Sequence, residues 1–138
     1  MSIVVSNTGP LIALCALDGL ELLPRLYGQI IIPDEVRLEL NAAPPGAMRF
    51  PFAETATWLM VKNLSTSIDP LLSAVLDVGE AAVIQMARNV QADSVLIDER
   101  KGRKVARTAY NLKVMGTVRV LVDSKKKGLL ASVGSALI

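Results

Sequence analysis

The chain has 138 residues, of which 51% are hydrophobic and 20% charged, and its formal net charge is +2. This length and composition fit a single globular domain, residues 1–138, that can bury a sizeable core. The absence of histidine excludes the commonest general base and transition-metal ligand, and the single cysteine, Cys15, excludes an internal disulfide. No segment approaches the roughly 18 apolar residues of a membrane span, so we expect a cytoplasmic protein with no membrane partner.

The charges are distributed unevenly along the chain. Residues 1–98 carry 5 basic and 11 acidic side chains, whereas residues 99–138 carry 10 basic and 2 acidic ones. An acidic body followed by a basic end suits a cation site that lies next to a phosphate-binding surface. The charge distribution alone is explained equally well by a basic helix that is exposed to solvent and binds nothing.

Short apolar segments alternate with helical patterns along the chain, which predicts a parallel sheet covered by helices. We therefore expect an α/β fold, specifically a three-layer α/β/α sandwich with a central, mainly parallel sheet of about four to five strands. A proline-rich stretch at 41–56 is predicted to be a long surface loop. Strands are predicted at 3–6, 29–32, 57–61, 94–97 and 112–115, and helices at 10–17, 20–23, 35–40, 71–76, 80–90, 99–110 and 117–127.

Polar side chains directly follow two of the predicted strands. Asn7 follows the first strand and Asp98 follows the fourth. Ligands of open parallel sheets bind beyond the carboxyl ends of the strands, so these two residues mark a candidate site that Glu35, Glu39 or Glu80 could also reach. Carboxylate oxygens select hard cations such as Mg²⁺ or Mn²⁺, which assist phosphoryl chemistry.

Each of these residues also has a purely structural explanation. Asn7 is suited to bonding the backbone of a turn, and Asp98 is suited to capping the basic helix that follows it. Glu80 lies in the first turn of a predicted helix, where the helix dipole favours negative charge. Glu39 could equally occupy a solvated edge position. The residues alone leave these alternatives open.

The predicted helix at 99–110 carries a stripe of basic side chains. They occur at positions i, i+3, i+4 and i+7, so they share one helix face that begins beside Asp98. Such a stripe could guide a phosphodiester backbone to a metal site. The basic stripe consists of Arg100, Arg103, Lys104 and Arg107.

Five segments, taken in chain order, carry a family resemblance. They are VVSNTGPLIAL at 4–14, IIPDEV at 31–36 with EL at 39–40, DVGEAA at 77–82, LIDERKGR at 96–103 and VMGT at 114–117. Together they resemble a PIN domain, the small α/β fold of metal-dependent ribonucleases that includes many prokaryotic toxins. The resemblance is narrower still to a prokaryotic subfamily of toxin-associated PIN-like proteins.

This resemblance implies a function, a site and partners. The function is that of a Mg²⁺- or Mn²⁺-dependent endoribonuclease, the toxin of a toxin–antitoxin pair, in which the metal lowers the pKa of the water that attacks the phosphate. Single-stranded or structured RNA, a small antitoxin protein and a second copy of the chain are the implied partners. The implied catalytic and metal-binding residues are Asn7, Glu39 (or Glu35 in its place), Glu80 and Asp98, and the implied substrate-binding residues are Thr8, Thr117 and the basic stripe.

Two features depart from the family pattern. Asn7 is neutral where the family most typically has an aspartate, which should weaken metal binding. The chain also ends at Ile138, sooner than we expect for the family, as a truncated product would. A second hypothesis is therefore a degenerate PIN domain that binds RNA or an antitoxin without cutting. A third, a phosphatase or receiver-like domain, would need an aspartate nucleophile at position 7.

Overall fold

The computed structural model describes residues 2–42 and 49–129. Their five strands form one sheet in the order β3-β2-β1-β4-β5, and every neighbouring pair is parallel. The central strand β1 pairs through Val5 with Ile31 on one side and Val95 on the other. The strands are β1 (Val4–Ser6), β2 (Ile30–Pro33), β3 (Leu59–Lys62), β4 (Ser94–Leu96) and β5 (Val114–Met115).

Helices flank this sheet and complete the predicted three-layer α/β/α fold, which the structure confirms. The longest helix packs against β1, β2 and β4, and its residues from Gly79 to Ala87 are all buried. In the described part of the chain the helices are α1 (Thr8–Ala16), α2 (Leu22–Tyr27), α3 (Asp34–Asn41), α4 (Phe52–Thr55), α5 (Pro70–Val75), α6 (Val78–Asn89), α7 (Arg100–Tyr110) and α8 (Thr117–Lys126).

The predicted loop at 41–56 is wrong in part, because α3 extends to Asn41 and α4 occupies Phe52–Thr55. Pro51 stands at the N-cap of α4, and the Thr55 hydroxyl donates to the Pro51 carbonyl oxygen at 3.2 Å. The ring of Phe50 is buried and meets Phe52 edge-on, with ring centroids 5.0 Å apart. These contacts order a stretch whose composition is typical of a loop. Residues 43–48 of that stretch, and the C-terminal residues from 130 onward, lie outside the described residues.

The second helix also differs from its prediction at 20–23. Asp18 has a positive φ of 56°, and the Gly19 amide donates to the Leu14 carbonyl oxygen at 2.7 Å, which ends α1 in a tight turn. The next helix therefore begins only at Leu22, and it accommodates Pro24 within its first turn.

The core is aliphatic, as the scarcity of aromatic residues requires. The strands β1 and β4 are buried throughout, including their serines Ser6 and Ser94, as expected for central strands covered on both faces. Because these two strands are parallel neighbours, their carboxyl ends open at the same place. No helix in the described ranges is both long and apolar enough to cross a membrane.

Candidate active site

A cleft of about 460 Å³ lies at the carboxyl edge of the sheet, where β1 and β4 end side by side. Five carboxylates line it, and none of its described lining residues is a lysine or an arginine. The structure thus brings the four predicted catalytic residues to one place. The lining residues are Asn7, Thr8, Gly9, Ile12, Glu39, Asp77, Glu80, Asp98 and Glu99.

Asn7 connects the two central strands to α1. Its backbone amide donates to the Leu96 carbonyl oxygen at 2.9 Å, which extends the pairing of β1 with β4 by one residue. It occupies the N-cap of α1 but makes no side-chain capping hydrogen bond. The residue is only 6% exposed and lines the cleft.

Asp98 is held by the start of α8. One carboxylate oxygen accepts from the Thr117 backbone amide at 2.7 Å and the other accepts from the Thr117 hydroxyl at 2.6 Å. Asp98 therefore does not cap the basic helix, whose N-cap residue is Glu99. Thr117 lies at the predicted edge, and there it fixes the orientation of the carboxylate.

Glu80 is buried against its neighbours. Its backbone amide donates to a carboxylate oxygen of Asp77, the N-cap residue of α6, at 2.9 Å. Burial first and the adjacent Asp77 carboxyl second raise the pKa of Glu80 to about 7. The charges of Glu99 and Glu39 act in the same direction. Its Oε2 atom is buried and has no hydrogen-bond partner among the described residues.

Glu39, rather than Glu35, reaches the cleft. Burial of the Glu39 carboxyl, and then the charge of Asp77, raise its pKa above the ordinary value, and the nearby Thr8 hydroxyl offsets part of this rise. Glu35 lines only an adjoining hollow, which shares Glu39 and Asp77 with the cleft and also contains the exposed side chains of Leu38 and Val78. The geometry therefore favours Glu39 as the second acidic residue of the site.

Three glycines make room for three of the carboxylates. A Cβ atom on Gly79 would overlap the Glu39 carboxylate, and one on Gly102 would overlap Glu80 Oε2. A Cβ atom on Gly116 would come within 2.7 Å of Asp98 Oδ1. A side chain at any of the three positions would displace a carboxylate of the cleft.

The basic stripe divides into two parts. Arg103 is half-buried and its Nη1 donates to the Ile97 carbonyl oxygen at 2.8 Å, so it ties α7 to the end of β4. Arg100, Lys104 and Arg107 are exposed. Since the N-cap residue of α7, Glu99, lines the cleft, the exposed part of the stripe begins at the cleft and leads away from it.

The donor set of the cleft fits a hard divalent cation in its chemistry. It consists of carboxylate, amide and hydroxyl oxygens, and the partnerless Oε2 of Glu80 is a buried acceptor in need of a positive charge. As the side chains stand, no three acidic, cysteine or histidine residues in the described ranges are arranged to hold a metal ion. The carboxylates would therefore have to converge to bind one.

Sequence reasoning missed two residues of the cleft, Asp77 and Glu99. Asp77 stands three residues before Glu80, the spacing of a helix N-cap and its N3 acid, and this signal was available in the sequence. Glu99 carried no comparable signal, since it follows Asp98 at the start of a helix and would ordinarily be read as a first-turn acid.

The geometry defines a class of protein: a small α/β/α domain with a parallel sheet, in which carboxylates gather at the carboxyl edge of the sheet. A family model described as a PIN domain matches residues 3–138. The chain therefore belongs to the PIN-domain family, as its resemblance predicted. PIN domains are generally nucleases and typically use divalent metal ions. No curated protein matches the chain in a sequence comparison.

The close approach of Gly102 to Glu80 gives a first prediction. Gly102→Ala should destabilise the protein by about 1–3 kcal/mol, because its Cβ would overlap Glu80 Oε2 and lie 3.2 Å from Ile97 Cγ2. In a Glu80→Ala background the same change should cost at least about 1 kcal/mol less, since the overlap with Glu80 Oε2 is then absent. Urea unfolding of the four proteins measures both effects, and equal effects in the two backgrounds would contradict this packing.

The raised pKa of Glu80 gives a second prediction. Between pH 4.5 and about 7 the unfolded chain releases this proton before the folded chain does, so the wild type should lose stability as pH rises. Glu80→Gln has no proton to release, so its stability relative to the wild type should increase from pH 5 to pH 8. Urea unfolding at both pH values measures the difference, with the exposed Glu54→Gln as control. A difference that stays constant or shrinks as pH rises would argue against it.

Proposed function

We propose that the chain is a Mg²⁺- or Mn²⁺-dependent endoribonuclease and the toxin of a toxin–antitoxin pair. The observation that carries the proposal is the uncompensated negative charge of the cleft in a PIN-domain fold. Five carboxylates line one small space with no described cation among them, and one of them, Glu80, has a buried oxygen without a partner. Such a site has little structural purpose unless a cation neutralises it.

Glu39, Glu80 and Asp98 would hold the metal, and Asn7 would contribute its amide oxygen. When bound, the ion supplies an acidified water as the nucleophile and neutralises charge on the phosphate. The chain's own residues prepare this site. Thr117 fixes both oxygens of Asp98, and Gly79 and Gly102 leave the space that the Glu39 and Glu80 side chains occupy.

The exposed part of the basic stripe supports RNA as the substrate. Arg100, Lys104 and Arg107 are positioned along α7, which starts at the cleft. Cations in this arrangement attract the phosphates of a single-stranded or structured RNA and lead the strand to the carboxylates. Phosphate contacts of this kind position the strand without selecting its sequence.

Exposed apolar side chains support protein partners. Leu38 and Val78, which are 53% and 67% exposed, flank the hollow beside the cleft, and we assign this surface to the antitoxin. Val118 and Val122 are exposed one turn apart on α8, where a second copy of the chain could cover them. The proposal therefore includes a homodimer.

A second candidate function is binding of RNA or an antitoxin without cleavage. The specific observation that favours it is the neutral Asn7, which stands between β1 and α1 where the family most typically has an aspartate. One carboxylate fewer reduces the attraction of the site for a hard cation. The two candidates differ only in whether the remaining carboxylates suffice for catalysis.

A cleavage assay tests the first candidate. The purified protein should cleave labelled single-stranded RNA in Mn²⁺, and EDTA should abolish cleavage. Asp98→Asn should lower the rate about 100-fold or more, since it removes charge from the site while preserving the shape of the side chain. Asp18→Asn is the matched control, because Asp18 is exposed, lies outside the cleft and has a positive φ that asparagine tolerates. Cleavage that survives EDTA or Asp98→Asn would point to a contaminant or a misplaced site.

Asn7→Asp discriminates between the two candidates. The added charge should tighten Mn²⁺ binding by about tenfold, as measured by titration calorimetry. If the wild type is inactive and Asn7→Asp cleaves RNA, the site is otherwise intact and the binding-only candidate describes the natural chain. If Asn7→Asp binds Mn²⁺ no more tightly than the wild type, Asn7 does not belong to the metal site.

A further inference from the structure

The N-terminus of α1 opens into the cleft with its hydrogen-bond donors unused. The helix spans nine residues and has no acidic side chain in its first turn, and its N-cap residue, Asn7, makes no side-chain capping bond. The backbone amides of Thr8 and Gly9 have no hydrogen-bond partner in the described part of the chain. Two N–H groups and the positive end of the helix dipole therefore face the cleft.

A buried hydroxyl stands at the same place. Thr8 lines the cleft and is only 9% exposed, and its Oγ1 has no hydrogen-bond partner within the described ranges. A buried hydroxyl without a partner costs free energy, so its position calls for an explanation beyond packing. The Glu39 carboxyl is its nearby polar neighbour, and the Thr8 hydroxyl lowers the pKa of Glu39 as a hydrogen-bonding group.

The donors at this helix end select an anion rather than a cation. Backbone N–H groups cannot ligate a metal, whereas they bind phosphate oxygens well at helix N-termini. The neutral Asn7 adds no negative charge that would repel an anion there. Gly9 leaves the approach open, because even a Cβ atom on it would meet its nearest contact, Asp98 Oδ2, only at 4.0 Å.

We propose that the N-terminus of α1 is a phosphate subsite in which the backbone amides of Thr8 and Gly9 and the Thr8 hydroxyl bind a non-bridging oxygen of a nucleic-acid phosphate. The proposal deepens the nuclease function and rests on it for the identity of the ligand. The carboxylates must converge to hold a metal ion, and movement of Glu39 toward them uncovers Thr8. The subsite lies beside the carboxylates of Glu39 and Asp98, so it would hold the phosphate only when a cation neutralises them.

Nuclear magnetic resonance tests this assignment with inorganic phosphate as the probe. The labelled full chain is titrated first with Mg²⁺ alone and then with phosphate in excess Mg²⁺, and the amide shifts of Thr8 and Gly9 are followed. Thr8→Val removes the hydroxyl at nearly constant volume, and Thr8→Ser retains it. Thr108→Val is the matched control, since Thr108 is exposed on α7 and donates to the Lys104 carbonyl oxygen of its own helix. Thr8→Ala replaces Thr8→Val if the latter does not fold.

The expected result is that phosphate shifts both amides in the wild type, Thr8→Ser and Thr108→Val. Loss of the hydroxyl should weaken phosphate binding about tenfold, the effect of one hydrogen bond to a charged group. The subsite is overturned if neither amide shifts, if Thr8→Val binds phosphate as tightly as the wild type, or if the shifts are confined to the basic stripe. The Mg²⁺ titration and the RNA cleavage assay test the nuclease proposal separately from the phosphate subsite.

Discussion

Mutual repulsion among carboxylates at the ends of β1 and β4 is the constraint on which this structure depends. Five acidic side chains line a space of about 460 Å³, and burial and neighbouring carboxyls raise the pKa of Glu80 to about 7. The carboxyl groups of Asp77, Glu99 and Glu39 all make the ionisation of Glu80 less favourable. The rest of the fold must therefore hold the site together against this repulsion, and burial of α6 from Gly79 to Ala87 contributes to doing so.

Different interactions hold the carboxylates of Asp98 and Glu80 in place. Asp98 is fixed by two hydrogen bonds from Thr117, so its position depends on the start of α8. The backbone amide of Glu80 donates to Asp77, and the Glu80 side chain packs into the space that Gly102 leaves because it has no Cβ atom. Three separate helices, α6, α7 and α8, thus hold these two carboxylates at one edge of the sheet. A change far from the cleft that shifts α7 or α8 would alter the site without touching a carboxylate.

Simple periodicities predicted the sheet and placed Asn7 and Asp98 at its edge, whereas Glu39 and Glu80 were assigned to the site by the family resemblance. Uninterrupted apolar segments predict buried parallel strands, and the residues after them must meet at one edge. The choice between Glu35 and Glu39 could not be made in this way, since it depends on how α3 is rotated against α6. The family resemblance ranked Glu39 first, and the structure supplies the reason in Gly79.

The features that the sequence did not predict depend on tertiary contacts. Helix α4 forms because Phe50 and Phe52 pack on one another and on the core, which overrides a composition typical of loops. Arg103 was grouped with the basic stripe by its spacing, but its guanidinium group bonds the Ile97 carbonyl oxygen. Helical spacing shows which residues share a face and does not show which of them a neighbouring element will capture.

The neutral side chain of Asn7 affects the charge at the N-terminus of α1 as well as the number of carboxylates in the cleft. An aspartate at the N-cap would place its negative charge on the positive end of α1 and satisfy the free amides there. The neutral side chain makes no such bond and leaves the amides of Thr8 and Gly9 free. In the site that we propose, a neutral residue at position 7 would therefore weaken the attraction for the cation and strengthen the attraction for the phosphate.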